Sequence, residues 1–275
     1  MRLYREALAA WQKEMERAKR PGAATAAKYL TQVSSFPGTL TSDLTTPAIR
    51  KWLERLPATI GQTNRYRSAM SAFCAFLVRE GVLDRNPVRD VPAQQESRPR
   101  DRHLAVEEVD RLAQWLDETY GLESAAFQVF LAATAADVSS ALDVKVADFC
   151  ADNEVWIRGT KTATRRRICY VTKSWNALWR SYVEPLRRIQ GARGPESAWL
   201  FQTPAYTHRR QLEAGLAALG IEDYTMKDHR HTWAVQAFKD GLPLHAIAHQ
   251  LGHASPAMAL KVYGQHQSRR ADFGL

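Results

Sequence analysis

The sequence predicts a mainly helical protein in two parts, a small helical bundle followed by a larger, mixed α/β domain that is mostly helical and carries a small β-sheet. Three observations carry this expectation. Apolar residues recur at helical spacing over most of the stretch from Leu3 to Val91. The stretch Pro92–Arg102 then runs polar and proline-containing, with no apolar anchor. Beyond it, helical patterns resume and are interrupted by two short β-like runs around a strongly basic tip. The boundaries that follow are a first domain over 1–93, a linker over 94–101 and a second domain over 102–275.

In the first part, Leu3–Ala18 is amphipathic, with Leu8 and Trp11 on one side and Arg5, Lys13 and Arg17 largely elsewhere. Gly22 interrupts this pattern, and Ala24–Phe36 resumes it. Thr45 and Thr46 before Pro47 form a helix start, a capping hydroxyl followed by proline at the first helical position, and open Ala48–Leu56. Thr63-Asn64-Arg65 leads into the apolar series Tyr66, Met70, Phe73, Phe76 and Leu77. Gly81 stops it, and Asn86-Pro87 closes the unit.

In the second part, Ala105–Tyr120 is a helix with Val109, Leu112 and Leu116 on one face, and Ser124–Ala136 is a nearly all-apolar, buried helix. Val155–Arg158 and Arg167–Val171 read as strands of a hairpin whose tip, 159–166, is basic. Helices return at Trp175–Gln190, Arg209–Leu219, Lys227–Asp240, Leu244–Leu251 and Pro256–Tyr263.

Composition narrows the class. The chain has 275 residues, enough for two modest cores, and its 45% hydrophobic content is ordinary for a folded protein. No apolar run approaches the roughly 18 residues of a membrane span, and the N-terminus lacks a signal core. Cys74, Cys150 and Cys169 are widely spaced, show no metal-ligand pattern and read as reduced thiols of a cytoplasmic protein. A formal charge of +9 favours a polyanionic partner.

The chemistry gathers between Lys227 and Tyr263. Lys-Asp-His-Arg-His-Thr is followed by Leu-Gly-His-Ala-Ser and then by Tyr263, ten residues past His253. Each member also has an ordinary reading: His229, Arg230 and His231 fit an exposed basic helix start, His253 a cap, Tyr263 a core tyrosine. In combination they fit phosphoryl transfer. A guanidinium can hold two phosphate oxygens at once. A tyrosine attacking phosphorus needs its developing phenolate oriented, and needs a proton donor for the departing 5′ oxygen. Arg230, His253 and Lys161 offer the cationic and proton-donating groups.

Several ordered blocks then resemble the tyrosine recombinase (phage integrase) family, in its Xer- and integrase-like members. They are Thr225–Thr232, Gly241–Leu244, Leu251–Ser255 and Tyr263, together with Arg102-His103-Leu104 and Glu107-Glu108-Val109 at the entry to the second domain. Thr63-Asn64-Arg65 with Phe73–Asp84 and Arg85-Asn86-Pro87 resembles the family's helical, SAM-like core-binding domain. The resemblance implies that Tyr263 forms a 3′-phosphotyrosyl link to DNA. It implies that Arg230 holds the scissile phosphate as the second arginine, that His253 stands beside it, and that Lys161 protonates the leaving oxygen. Lys161 and its neighbours Thr162–Arg167 also fit a tip that only contacts phosphates. Lys227 falls where most members have histidine.

The departure is at the first arginine. Ala133-Thr134-Ala135-Ala136-Asp137-Val138-Ser139-Ser140 places Asp137 at that position and Ser140 at that of its acidic partner, and no arginine occurs between Arg111 and Arg158. Arg158 and Lys145 are the candidate substitutes, or Asp137 turns outward. The resemblance further implies a metal- and cofactor-free enzyme that clamps double-stranded DNA and assembles as a homo- or hetero-tetramer on two sites, with no membrane involvement. It leaves no room for a further arm-binding domain and little tail (Gly264–Leu275) for exchange between protomers. Asn64, Arg65 and Arg67 of the first domain, and Arg165, Arg166 and His231 of the second, are the DNA-contact candidates; the first three also fit an exposed polar face. The alternative function is a recombinase-fold DNA-binding protein with little or no cleavage.

Overall fold

The computed structural model describes residues 3–95, 102–159, 166–194 and 198–263, and the chain divides into two compact units, Met1–Pro99 and Arg100–Leu275. The fold is mainly helical with a small antiparallel sheet in the second unit.

The first unit contains α1 (Tyr4–Ala18), α2 (Ala23–Ser34), α3 (Thr46–Glu54) and α4 (Ile60–Arg79). The stripe that α1 buries is Tyr4, Ala7, Trp11 and Met15, spaced three to four residues apart, with Leu8 half-buried at its edge. Tyr4, Phe36, Trp52 and Phe73 form the aromatic centre, and the Tyr4 hydroxyl donates to the Val33 carbonyl at 2.9 Å, so that phenol is buried without an unmet hydrogen bond. The Thr45 hydroxyl accepts from the Ala48 amide and starts α3. α4 begins earlier than the Thr63 block suggests. A capping box closes at Thr59 and Gln62, which satisfies two orphan amides and carries the helix back to Ile60.

The second unit is built around α6 (Leu122–Thr134), in which every residue from Ser124 to Thr134 is buried. It packs against α5 (Val106–Tyr120), the helical segment after the sheet, and α11 (Asp228–Lys239). A five-residue helix, α7 (Val138–Leu142), follows immediately. The sheet has three strands in the order β1 (Phe149–Ala151), β2 (Glu154–Arg158) and β3 (Arg166–Tyr170), all antiparallel. In β2 and β3, Val155 pairs with Cys169 and Ile157 with Arg167 on the buried face; Trp156 and Tyr170 lie on the other.

The single helix expected over Trp175–Gln190 is instead α8 (Lys173–Leu178), a π turn (Trp179–Val183) and α9 (Glu184–Arg193). Pro185 has no amide hydrogen to continue an α ladder, and the wider turn just ahead of it absorbs the interruption. The indole of Trp179 then donates to the Asp152 carbonyl at 3.0 Å and to Glu184 at 3.2 Å, tying the segment to the sheet. α10 (Ala205–Ala218), α11, α12 (Leu244–Leu251) and α13 (Pro256–Tyr263) complete the unit. Among the described residues no helix is long and apolar enough to cross a membrane.

Candidate active site

α11 is anchored before it presents any chemistry. Asp228 accepts from the Thr225 amide at 2.8 Å and from its hydroxyl at 2.7 Å, fixing the helix start. His229, expected on an exposed basic helix start, is fully buried. Its Nε2 meets Gln128 Oε1 of α6 at 3.0 Å, and its Nδ1 meets the Tyr224 hydroxyl at 3.0 Å. Tyr224 continues to the Thr232 hydroxyl at 2.8 Å, which accepts from the Leu104 amide at 3.1 Å. This chain of polar groups locks α11 to α6 and to the entry of the domain.

Burial pulls the His229 imidazole down to about 3, below its ordinary 6.5. A histidine depressed in the folded state binds its proton more readily when unfolded, so its stabilisation is present above pH 6.5 and is lost as pH falls below it. Acidification from pH 7.5 to 5 is therefore expected to cost about 2 kcal/mol through His229. Urea unfolding at the two pH values should show this loss, and His229→Gln should shrink the difference by a similar amount. An equal pH difference in the variant would contradict it.

Arg230, the next residue, bridges two helix ends. Its Nη1 donates to the Ala135 carbonyl at 2.9 Å, and its Nη2 donates to the Leu251 carbonyl. Ala135 ends α6 in the left-handed conformation (φ 54°), and Gly252 ends α12 in the same way (φ 59°), where glycine pays no Cβ penalty. The guanidinium plane is thus set by backbone. Past Gly252, the His253 amide donates to the Ala248 carbonyl at 2.9 Å, which places His253 half-buried immediately beyond the α12 terminus. Lys227 is exposed just ahead of α11.

Tyr263, the last residue of α13, is buried to 5% exposure. Its hydroxyl lies 2.9 Å from His231 Nδ1, and its ring packs against His231 and Phe238. Burial pushes the phenol up to about 12; the nearby Arg230 charge pulls it back and Asp228 adds to the rise. Arg230, His231, His253 and Tyr263 therefore belong to one region, held by α11, α12 and α13. His231, proposed above as a DNA contact, is half-buried with its ring on Tyr263.

Asp137 precedes α7 as its N-cap residue, half-buried, two residues past the carbonyl that Arg230 binds. Each of the two cations considered as substitutes has a partner of its own. Arg158 donates through Nε and Nη2 to the Asp148 carboxylate. Lys145 lies over the Trp199 ring, 4.9 Å from its centroid. Lys161 and Arg165, with most of the hairpin tip, lie outside the described residues, as does the tail after Tyr263. Arg166 is exposed on β3.

Arg167 was not singled out among the site candidates, yet it is buried, and its Nε donates to the Gln250 carbonyl at 2.7 Å. The Gln250 side chain in turn bonds Thr134 and both backbone groups of Tyr170. The strand, the end of α6 and the end of α12 are stitched together beneath Arg230. The signal was present: Cys169 and Val171 share the Arg167 side of the strand, and both are buried.

In the first unit, Asn64 exchanges two hydrogen bonds with the Gln94 backbone, at 2.9 and 3.0 Å, and Arg67 donates to the Val91 carbonyl at 2.5 Å. These side chains hold the segment leaving the bundle. Arg65 is exposed. Among the described residues no cluster of His, Cys, Asp or Glu could hold a metal ion.

The pattern of the phage integrase family matches residues 102–270, which take in Arg230, His253 and Tyr263 in order. This chain belongs to the phage integrase family. Tyrosine recombinase XerD of Caulobacter vibrioides is 27% identical over 217 residues, covering 74% of this chain and 71% of that protein. A lambda integrase dimer bound to a COC′ core site shares the fold of this integrase-family chain, with a TM-score of 0.76, 17% identity, and coverage of 94% and 97%. A lambda integrase tetramer bound to a Holliday junction does so with a TM-score of 0.74, 16% identity, and coverage of 93% and 79%.

Proposed function

We propose that this chain is a site-specific DNA recombinase or integrase that cuts and rejoins one strand at a time through a 3′-phosphotyrosyl intermediate at Tyr263. The observation that carries the reading is the gathering of Arg230, His253 and the Tyr263 hydroxyl at the ends of α11, α12 and α13, within the family-matched region. Arg230 holds the scissile phosphate through its guanidinium. His253 adds a donor beside it, Lys227 a flanking cation, and Lys161 protonates the departing 5′ oxygen. Double-stranded DNA is the partner, engaged through phosphate contacts from Arg65, Arg166 and other cations, so binding weakens as salt rises. The assembly is a tetramer on two sites, by analogy with lambda integrase on its junction.

Asp137 favours a second reading, a recombinase-fold DNA-binding partner with little cleavage. A carboxylate where the family carries a phosphate-binding arginine repels the anion, and losing one transition-state donor costs on the order of 10²–10³ in rate. A nicked duplex carrying the sequence this protein selects from a random pool separates the two. Covalent protein–DNA product supports the enzyme; saturable binding without adduct supports the partner. Asp137→Arg is expected to raise the cleavage rate about 10²-fold on that substrate. An unchanged rate would show that Asp137 does not limit the site.

A further inference from the structure

Tyr263 cannot act as a nucleophile without losing a proton, and its setting restricts where that proton goes. The phenol is 5% exposed, and its ring is covered by His231 and Phe238. Burial holds the phenol near 12, so free phenolate at neutral pH is scarce, on the order of 10⁻⁵ of the population. Proton removal must therefore be coupled to attack and delivered to a group already touching the oxygen.

The neighbouring candidates differ sharply. Arg230 and Lys227 are cations and accept nothing. The Asp228 carboxylate is bonded through Oδ2 to the Thr225 amide and hydroxyl at the helix start. Among the described residues, it is the His231 side chain that hydrogen-bonds the Tyr263 hydroxyl, at 2.9 Å. With its proton on Nε2, the neutral imidazole presents Nδ1 as the acceptor.

We propose that His231 is the general base of strand cleavage, a catalytic residue that takes the Tyr263 proton as the tyrosine attacks phosphorus. The proposal rests on the recombinase reading above and replaces the DNA-contact role expected for this residue. In the step, the Tyr263 oxygen–phosphorus bond forms and the bond from phosphorus to the 5′ oxygen breaks. The phenol proton passes to His231 Nδ1, and the 5′ oxygen receives its proton from the general acid, assigned above to Lys161. On rejoining, the 5′ hydroxyl attacks phosphorus and gives its proton back to the group that supplied it, assigned above to Lys161, while the bond from phosphorus to the Tyr263 oxygen breaks and His231 returns its proton to the departing tyrosine. The placement is economical: Arg230 and His231 are consecutive on α11, whose entry is locked by the His229 network, so phosphate grip and proton acceptor are positioned by one rigid element.

The test is single-turnover cleavage of the nicked duplex at saturating protein, with a normal 5′ oxygen or with sulfur in its place. A thiolate departs without a proton, so sulfur bypasses the general acid and leaves nucleophile activation exposed. His231→Gln and His231→Ala are expected to slow cleavage about 10²–10³-fold on both substrates, with DNA affinity within about threefold of wild type. Added imidazole should restore part of the His231→Ala rate, which a purely structural role would not allow. Cleavage by His231→Gln within about threefold of wild type, full rescue by sulfur, or a loss confined to affinity would overturn the proposal. If the wild-type chain itself yields no adduct, the recombinase reading falls first and this inference with it; an adduct with unaffected His231 variants sinks this inference alone.

Discussion

Tyr263→Phe is expected to abolish covalent capture of the nicked strand while leaving DNA binding intact. The substitution removes one oxygen from a buried ring that keeps its packing against His231 and Phe238. Its stability effect is the loss of one hydrogen bond to His231, about 0.5–1.5 kcal/mol. With Tyr263 as the proposed nucleophile, the cleavage defect should exceed any effect on folding or affinity by orders of magnitude. Denaturing gel electrophoresis of the trapped complex, beside a binding titration, reads both quantities. Residual adduct near the wild-type level would mean that another side chain attacks the phosphate.

Arg230→Ala should carry two separable costs. Cleavage should fall about 10²–10³-fold, the usual loss when one preorganised donor to transition-state charge is removed. Stability should also fall, by about 1–3 kcal/mol, because the carbonyls of Ala135 and Leu251 lose their shared partner in a partly buried setting. Arg230→Lys keeps the charge, but a single ammonium does not reproduce the planar fork that spans two helix ends. It should recover part of the stability and little of the rate. Single-turnover kinetics and urea unfolding on the same preparations distinguish the two costs, and a rate loss fully explained by unfolded protein would contradict the catalytic one.

Much of this arrangement was legible from local patterns. The unbroken apolar run of α6 announced a buried helix, and the ends of α12 and α13 were readable from Gly252 and Pro256. The order of Arg230, His253 and Tyr263 pointed to one site because each is set at a helix terminus that the local sequence specifies. What escaped depended on partners distant in the chain. His229 reads as a solvated base until Gln128, 101 residues away, and Tyr224 are seen to enclose it. Asn64 and Arg67 read as DNA contacts or an exposed polar face, and their bonds to a segment 24 to 30 residues downstream have no local signature. β1, three residues long, has too short a pattern to detect, and the π turn before Pro185 leaves the apolar periodicity looking continuous. Arg167 reads with the tip that contacts phosphates because a charge on a strand suggests solvent, whereas strand alternation places it inward.

The central claim is that a buried tyrosine at the end of α13, aligned by α11, forms a covalent bond to DNA. Mass spectrometry of the protease-digested adduct, formed by the wild-type chain on the nicked duplex, tests it most directly. The account predicts a 3′-phosphonucleotide on the peptide containing Tyr263 and on no other. Tight, salt-sensitive binding with no modified peptide, or a nucleotide attached to a different residue, would contradict it.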